Sequence, residues 1–296
     1  MIEWAPRVLA RGLGFPEGPT HLGNGRVAFT EIRGQCISLF DDDGYRVIAK
    51  TGGGANGATL GSDGAIYVAN NGGINVGPGG YWHAPDPIDG NIQRVTLDGG
   101  CADVIPQLPG EPPHRPNDLC FGPDGSLYFT DPYNWEDLAH LKPGRLWRAD
   151  IASGDVELLG DVEKFPNGIG FGPDDRLYVA HSLAMTVLAY PWSPDGLGEP
   201  REHAKLPAGF PDGFCFASDG TLIVCGSMGD VIQIFDPAGD LMHTIETGEH
   251  TEPTNCCLGD GVLYVTLSGS GELVACDVEL EPLPLYPFRG ARAPRS

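Results

Sequence analysis

The chain has 296 residues and carries 18 Lys and Arg against 40 Asp and Glu, a formal net charge of −22 at pH 7. Nucleic acid and anionic membrane are excluded as expected partners, because binding to phosphates relies on Lys and Arg to release counterions. Hydrophobic residues at 41% suffice for a core and exclude a disordered chain, while 44 Gly and 27 Pro point to many tight turns.

At the N-terminus, the segment 1–13 includes Glu3, Trp4, Pro6 and Arg7 and lacks the apolar core of an export signal. No run of 18 apolar residues occurs in the chain, so the expected location is cytoplasmic. The segment 7–10 reads as a last strand, expected to close the architecture beside the segment near 283–288.

From Phe15 onward one pattern recurs six times. It opens as F-P-E-G at Phe15, A-N-G at Ala55, R-P-N-D at Arg115, F-P-N-G at Phe165, F-P-D-G at Phe210 and E-P-T-N at Glu252. Each opening leads to a turn (G-N-G-R, S-D-G-A, P-D-G-S, P-D-D-R, S-D-G-T, G-D-G-V) and then to a strand (VAFTE, IYVAN, LYFTD, LYVAH, LIVCG, LYVTL). Asp-Gly between apolar runs is a hairpin signal. A second hairpin follows each time, with apolar strands at 37–40, 93–97, 146–150, 187–191, 231–235 and 273–278. Two hairpins make a four-stranded blade, and the repeat starts are 39, 61, 50, 45 and 42 residues apart. The predicted fold is an all-β, six-bladed β-propeller forming one domain over residues 1–296.

The longest spacing contains an insertion, Asn70 to Gly90, with Tyr81, Trp82 and His83 near its middle. Long loops on rigid scaffolds carry binding residues, so Tyr81 and Trp82 are predicted to contact substrate.

One column of the repeat carries oxygen throughout: Glu17, Asn56, Asn117, Asn167, Asp212 and Thr254. Rotation about a propeller axis brings such a column toward one point. Two carboxylates with amide oxygens are the ligand chemistry of a hard divalent cation, calcium first, with magnesium, manganese or zinc as alternatives. The competing reading is that these residues only cap tight turns, a role to which the longer Glu17 is poorly suited.

The segments F-P-E-G-P, R-P-N-D-L-C-F-G-P-D-G-S-L-Y-F-T-D-P, F-P-N-G-I-G-F-G-P-D-D-R-L-Y-V-A and F-P-D-G-F-C-F-A-S-D-G resemble the regucalcin/gluconolactonase family, as does P-T-N at Pro253–Asn255. The resemblance runs over nearly the whole chain in the right order. It implies a six-bladed propeller with one divalent metal near its axis, and lactone hydrolysis as the activity. By that match Glu17, Asn167 and Asp212 are metal ligands, and Asp212 is also the general base. Arg115 holds substrate oxygens, and Asn117 contacts substrate or metal. The expected partner is a small lactone-type molecule. The alternatives are a non-enzymatic metal or small-molecule binder and a different reaction on the same scaffold. Relatives differ most in the Asn70–Gly90 loop and the stretch 133–135, whose aromatic residues point to a bulkier substrate than a bare sugar lactone.

Other residues have plainer readings. Asp131 ends a strand against Pro132. His181 and Ser182 are neighbours that point to opposite faces, and no G-x-S-x-G elbow supports a serine nucleophile. His114, beside Arg115, is a candidate for the pocket. The eight cysteines form no C-x-x-C pair, and Cys120, Cys215 and Cys257 share a repeat column where packing is expected.

Overall fold

The computed structural model describes residues 2–77, 80–133 and 140–289. Within them, six four-stranded antiparallel sheets succeed one another along the chain and form the blades of a propeller. Blade 1 is Pro16–His21, Val27–Glu31, Cys36–Asp41 and Gly44–Lys50. Blade 2 is Ala55–Leu60, Ile66–Asn70, Asn91–Val95 and Cys101–Ile105. Blade 3 is Leu119–Phe121, Leu127–Asp131, Gly144–Ala149 and Val156–Val162. Blade 4 is Pro166–Phe171, Leu177–His181, Thr186–Tyr190 and Arg201–Lys205. Blade 5 is Phe210–Phe216, Leu222–Ser227, Val231–Phe235 and Leu241–Glu246. Blade 6 is Pro253–Gly259, Val262–Leu267 and Glu272–Asp277, completed by Arg7–Arg11.

The turn residues act as the sequence leads one to expect. At Asp260-Gly261 both residues have positive φ, 52° and 72°, the twist that suits a two-residue hairpin. The turn aspartate does a second job in three blades, accepting the hydroxyl of the tyrosine four residues on. Tyr67 meets Asp63 at 3.3 Å, Tyr128 meets Asp124 at 3.0 Å and Tyr178 meets Asp174 at 3.2 Å. Second and third strands are buried on both faces, because each blade is sandwiched between two others. Phe29, Phe129 and Phe235 there are fully buried, each contributing about 1.5–3 kcal/mol of hydrophobic stabilisation.

The N-terminal segment closes the ring as the last strand of blade 6, as expected, but beside a different partner. Arg7–Arg11 pairs with Glu272–Asp277, Arg7 opposite Ala275 and Arg11 opposite Glu272. The segment after Leu280 forms no strand of that sheet. Pro282, Pro284 and Pro287 lack the N–H a ladder needs. It crosses instead to blades 4 and 5, with Leu283 N bonding Phe216 O at 3.0 Å and Arg289 bonding Phe171 O at 2.7 Å and Gly172 O at 2.8 Å.

Candidate functional site

The oxygen-bearing column lies at or just before the start of each blade's innermost strand. In five blades the register shifts at or directly after it: between Glu17 and Thr20, Ala55 and Ala58, Pro166 and Ile169, Pro211 and Phe214, and Pro253 and Asn255. Such bulges re-aim side chains and are frequent beside binding sites. In blade 3 the innermost strand starts later, and Asn117 is held by its own N–H on Thr130 O at 2.8 Å.

In four blades a hydroxyl from the second strand of the preceding blade, or from its end, latches the start of the inner strand. Thr30 donates to Asn56 O at 2.5 Å, Thr130 to Asn167 O at 2.7 Å, Ser182 to Pro211 O at 2.8 Å and Ser268 to Pro16 O at 2.5 Å. Each is worth about 1 kcal/mol net, and together they fix the ring where the column sits. Ser182 thus serves packing, while His181 turns to the Tyr190 hydroxyl at 3.2 Å. The strands also approach closely. A Cβ on Gly213 would lie 2.1 Å from Asn255 Cγ, so only glycine fits there.

Glu17, Asn56, Asn117, Asn167 and Thr254 are buried, and Asp212 keeps some solvent contact. Burial pushes the Glu17 carboxyl up, partly offset by the Gly18 N–H at 2.9 Å and the nearby side chains of Thr254 and Asn255. Asp212 is held well above the carboxylate range by burial, then by repulsion from Glu17, Asp118 and Glu252. Asp118 is pushed to about 7 by burial and Glu17. Glu252 reaches about 7 through burial, although Arg33 pulls the other way. Glu17, Asp118 and Glu252 therefore all lie near enough to repel the Asp212 carboxylate.

Among the described residues, no three His, Cys, Asp or Glu side chains make a metal cage by themselves. The column would supply a mixed donor set, carboxylates from Glu17 and Asp212 and amide oxygens from Asn167 and Asn117. Its all-oxygen chemistry and excess negative charge fit a hard divalent cation.

Glu252 was missed in reading the sequence. Its Oε2 is buried without a hydrogen-bond partner. It occupies the place before the proline where Phe15 and Phe165 stand in their repeats, and all three have positive φ: 48°, 60° and 63°. Non-glycine residues rarely adopt that conformation, and such strain concentrates at functional sites. An acidic residue in a place that phenylalanine holds in three of the six repeats was the available signal.

Arg115 holds the same place in blade 3. It is partly buried, with Nη1 bonding Asn71 O and His114 O, each at 3.4 Å. Its backbone is set by Asp131, which accepts the Arg115 N–H at 2.6 Å, His114 Nδ1 at 3.0 Å and Trp147 Nε1 at 3.1 Å. Asp131 thus does more than end its strand: it anchors the segment presenting Arg115 and Asn117. His114 is buried, with Nε2 unpaired.

The insertion forms a hairpin, Ile74–Gly77 against Gly80–His83, with Tyr81 opposite Val76 and Trp82 opposite Asn75. Arg33 Nε bonds Asn75 Oδ1 at 2.8 Å, and a Cβ on Gly77 would meet the Phe15 ring at 2.7 Å, so the hairpin leans on blade 1 beside its column. Tyr81 is exposed and Trp82 partly buried. Of the aromatic stretch 133–135, Tyr133 bonds Pro112 O at 2.9 Å, and Trp135 lies outside the described residues.

A cavity of about 280 Å³ occupies the other end of the channel, away from the column. Phe121, Phe171, Phe214 and Leu258 line it, Pro282–Tyr286 and Arg289 flank it, and Asp118 and Asn255 border it. Cys120, Cys215 and Cys257 line it as well, together with Cys256.

The family described as SMP-30/Gluconolactonase/LRE-like region matches residues 15–269. A gluconolactonase of Zymomonas mobilis is 26% identical over 300 residues, covering 90% of this chain and 79% of that protein. Among solved structures, a gluconolactonase from Xanthomonas campestris superposes with a TM-score of 0.75 at 24% identity, covering 94% of this chain and 89% of the other. A calcium-binding regucalcin from Agrobacterium tumefaciens gives 0.74 at 18% identity, covering 95% and 97%. With a family match over most of its length and the propeller such relatives share, the chain belongs to the SMP-30/gluconolactonase/LRE-like family.

Proposed function

We propose that the protein is a divalent-metal-dependent lactonase that opens a lactone or related cyclic ester by attack of water. The observation that carries this reading is the closeness of the buried Glu17 and Asp212 carboxyls, which repel one another, in a gluconolactonase-family chain. Glu17, Asn167 and Asp212 would hold the ion. Calcium is the first choice, given the oxygen donors and a relative described as calcium-binding, with magnesium, manganese or zinc as alternatives. Bound there, the cation supplies Lewis-acid polarisation of the lactone carbonyl.

The chain's own groups do the rest. Asp212, whose carboxylate burial makes more basic, accepts the proton of the attacking water. Arg115, tethered at Asn71 O and His114 O, directs its remaining donors to substrate oxygens. Asn117, pinned through its backbone to Thr130, orients the ring or adds an oxygen to the ion. Tyr81 and Trp82 offer apolar surface beside the column.

The test is turnover of five- and six-membered sugar lactones and a benzo-fused lactone by metal-stripped protein, before and after adding each cation. Turnover restored by a cation supports the lactonase. Cation binding without turnover of any lactone supports the non-enzymatic binder instead.

A further inference from the structure

Cys215, on the inner strand of blade 5, and Cys256, on the inner strand of blade 6, bring their Sγ atoms to 3.6 Å. The two strands are pressed together just before the cysteines, where Gly213 leaves room for nothing but the Asn255 side chain. Both thiols line the 280 Å³ cavity at the lower end of the channel, which offers a small oxidant a place to reach them. All eight cysteines are free, and Cys101 is exposed.

We propose that Cys215 and Cys256 are an oxidation site that a hydroperoxide converts to a disulfide, tying blade 5 to blade 6 below the acidic column. The Cys256 thiolate attacks the peroxide oxygen; the O–O bond breaks, a sulfenic acid forms, and the departing oxygen leaves as water or alcohol after taking a proton. Cys215 then attacks the sulfenic sulfur. The S–S bond forms, the S–O bond breaks, and the hydroxyl leaves as water with the Cys215 proton. Two thiols are oxidised and one peroxide is reduced.

Hydrogen bonds from Cys215 and Cys225 favour the Cys256 thiolate against its burial, while Cys215 and Cys225 are pushed above the usual thiol range, so Cys256 is taken as the attacking sulfur. Bonding requires the sulfurs to close from 3.6 Å to about 2.05 Å. The cross-link would lie three residues beyond Asp212 on one strand and next to Asn255 on the other.

The experiment treats the folded, reduced protein with hydrogen peroxide, blocks remaining thiols, and maps peptides without reduction. The expected product is a Cys215–Cys256 linked peptide that a thiol reductant dissolves. In Cys215→Ser the link should vanish and Cys256 should proceed to the sulfinic acid. Cross-linking of Cys256 to Cys225 or Cys257, or oxidation of Cys101 with Cys215 and Cys256 untouched, would overturn the proposal. Because mapping of the wild type reads the bond directly, the result does not depend on the variant folding or on lactone turnover.

Discussion

Asn255 Nδ2 donates to Asp118 Oδ2 at 3.4 Å, joining residues of blades 6 and 3, half a ring apart. The two stand in the repeat place that holds glycine in the other blades: Gly18, Gly57, Gly168 and Gly213. Two polar side chains therefore fill the channel between the acidic column and the lower cavity. Asp118 also accepts the Leu119 N–H at 2.8 Å, yet burial and Glu17 still leave its charged form disfavoured.

Asp118→Asn should consequently stabilise the metal-free protein. The carboxyl titrates near 7 when folded against about 4 when unfolded, so the folded chain binds the extra proton between those values. That cost is absent below the unfolded value, grows as pH rises and is complete above the folded one. Thermal melts should show the variant ahead by up to roughly 4 kcal/mol at pH 8, with the gap shrinking toward pH 4. A gap that widens on acidification would contradict this account.

His181 predicts the opposite slope. Burial lowers it to about 4, with only a Glu163 backbone contact resisting. Here the unfolded chain takes up the proton first, so stability is full above about 6.5 and is lost as pH falls toward 4. The loss is on the order of 3 kcal/mol, and His181→Gln should flatten that limb of the profile. The difference between wild type and variant isolates the His181 contribution from that of the axial carboxyls, which act in reverse.

The fold was largely legible because the repeat is written in residues with strict backbone roles. The Asp-Gly turns and the tyrosine after them mark the hairpins, and the column marks where inner strands begin. The ring closure was misread because Leu283–Phe288 is as apolar as a strand, and only its prolines betray that it cannot pair. Glu252 escaped because the oxygen column was read two positions further along. The Asp118–Asn255 pair joins residues 137 apart, and no local pattern announces a contact of that range. The Cys215–Cys256 approach was hidden likewise, since Cys215 was aligned with Cys257 and its neighbour was passed over.

Replacing Tyr81 or Trp82 by Ala should change KM or substrate preference more than stability. Tyr81 is 45% exposed, and both lie on a two-stranded hairpin outside the blades. The melting temperature should move by no more than a degree or two, as for surface changes generally. A large drop in melting temperature with unchanged kinetics would assign both residues to packing.

Asp212 carries two proposed roles, and one substitution separates them. Asp212→Asn keeps the size and one oxygen donor but removes the charge and the basic lone pair. If Asp212 is only a ligand, the variant binds the cation more weakly and saturating cation restores turnover. If it also takes the proton from water, turnover stays low when the site is full, because general-base catalysis contributes roughly 10²–10⁴-fold. Asn167→Ala is the control: it loses an amide oxygen and no base, so added cation should recover much of its activity. The wild-type site also predicts a pH signature. The Asp212 carboxyl is pushed up by burial and by Glu17, and a bound cation pulls both down, so raising its concentration should shift the acidic limb of kcat/KM to lower pH. The measurement is kcat against cation concentration for both variants, with the pH profile of the wild type. Low kcat at saturation for Asp212→Asn, beside recovery in Asn167→Ala, is the expected outcome. Full recovery of Asp212→Asn would remove it from the base role and leave the proton to another of the axial carboxyls, Glu252 first, since it titrates near 7 with one oxygen unpaired.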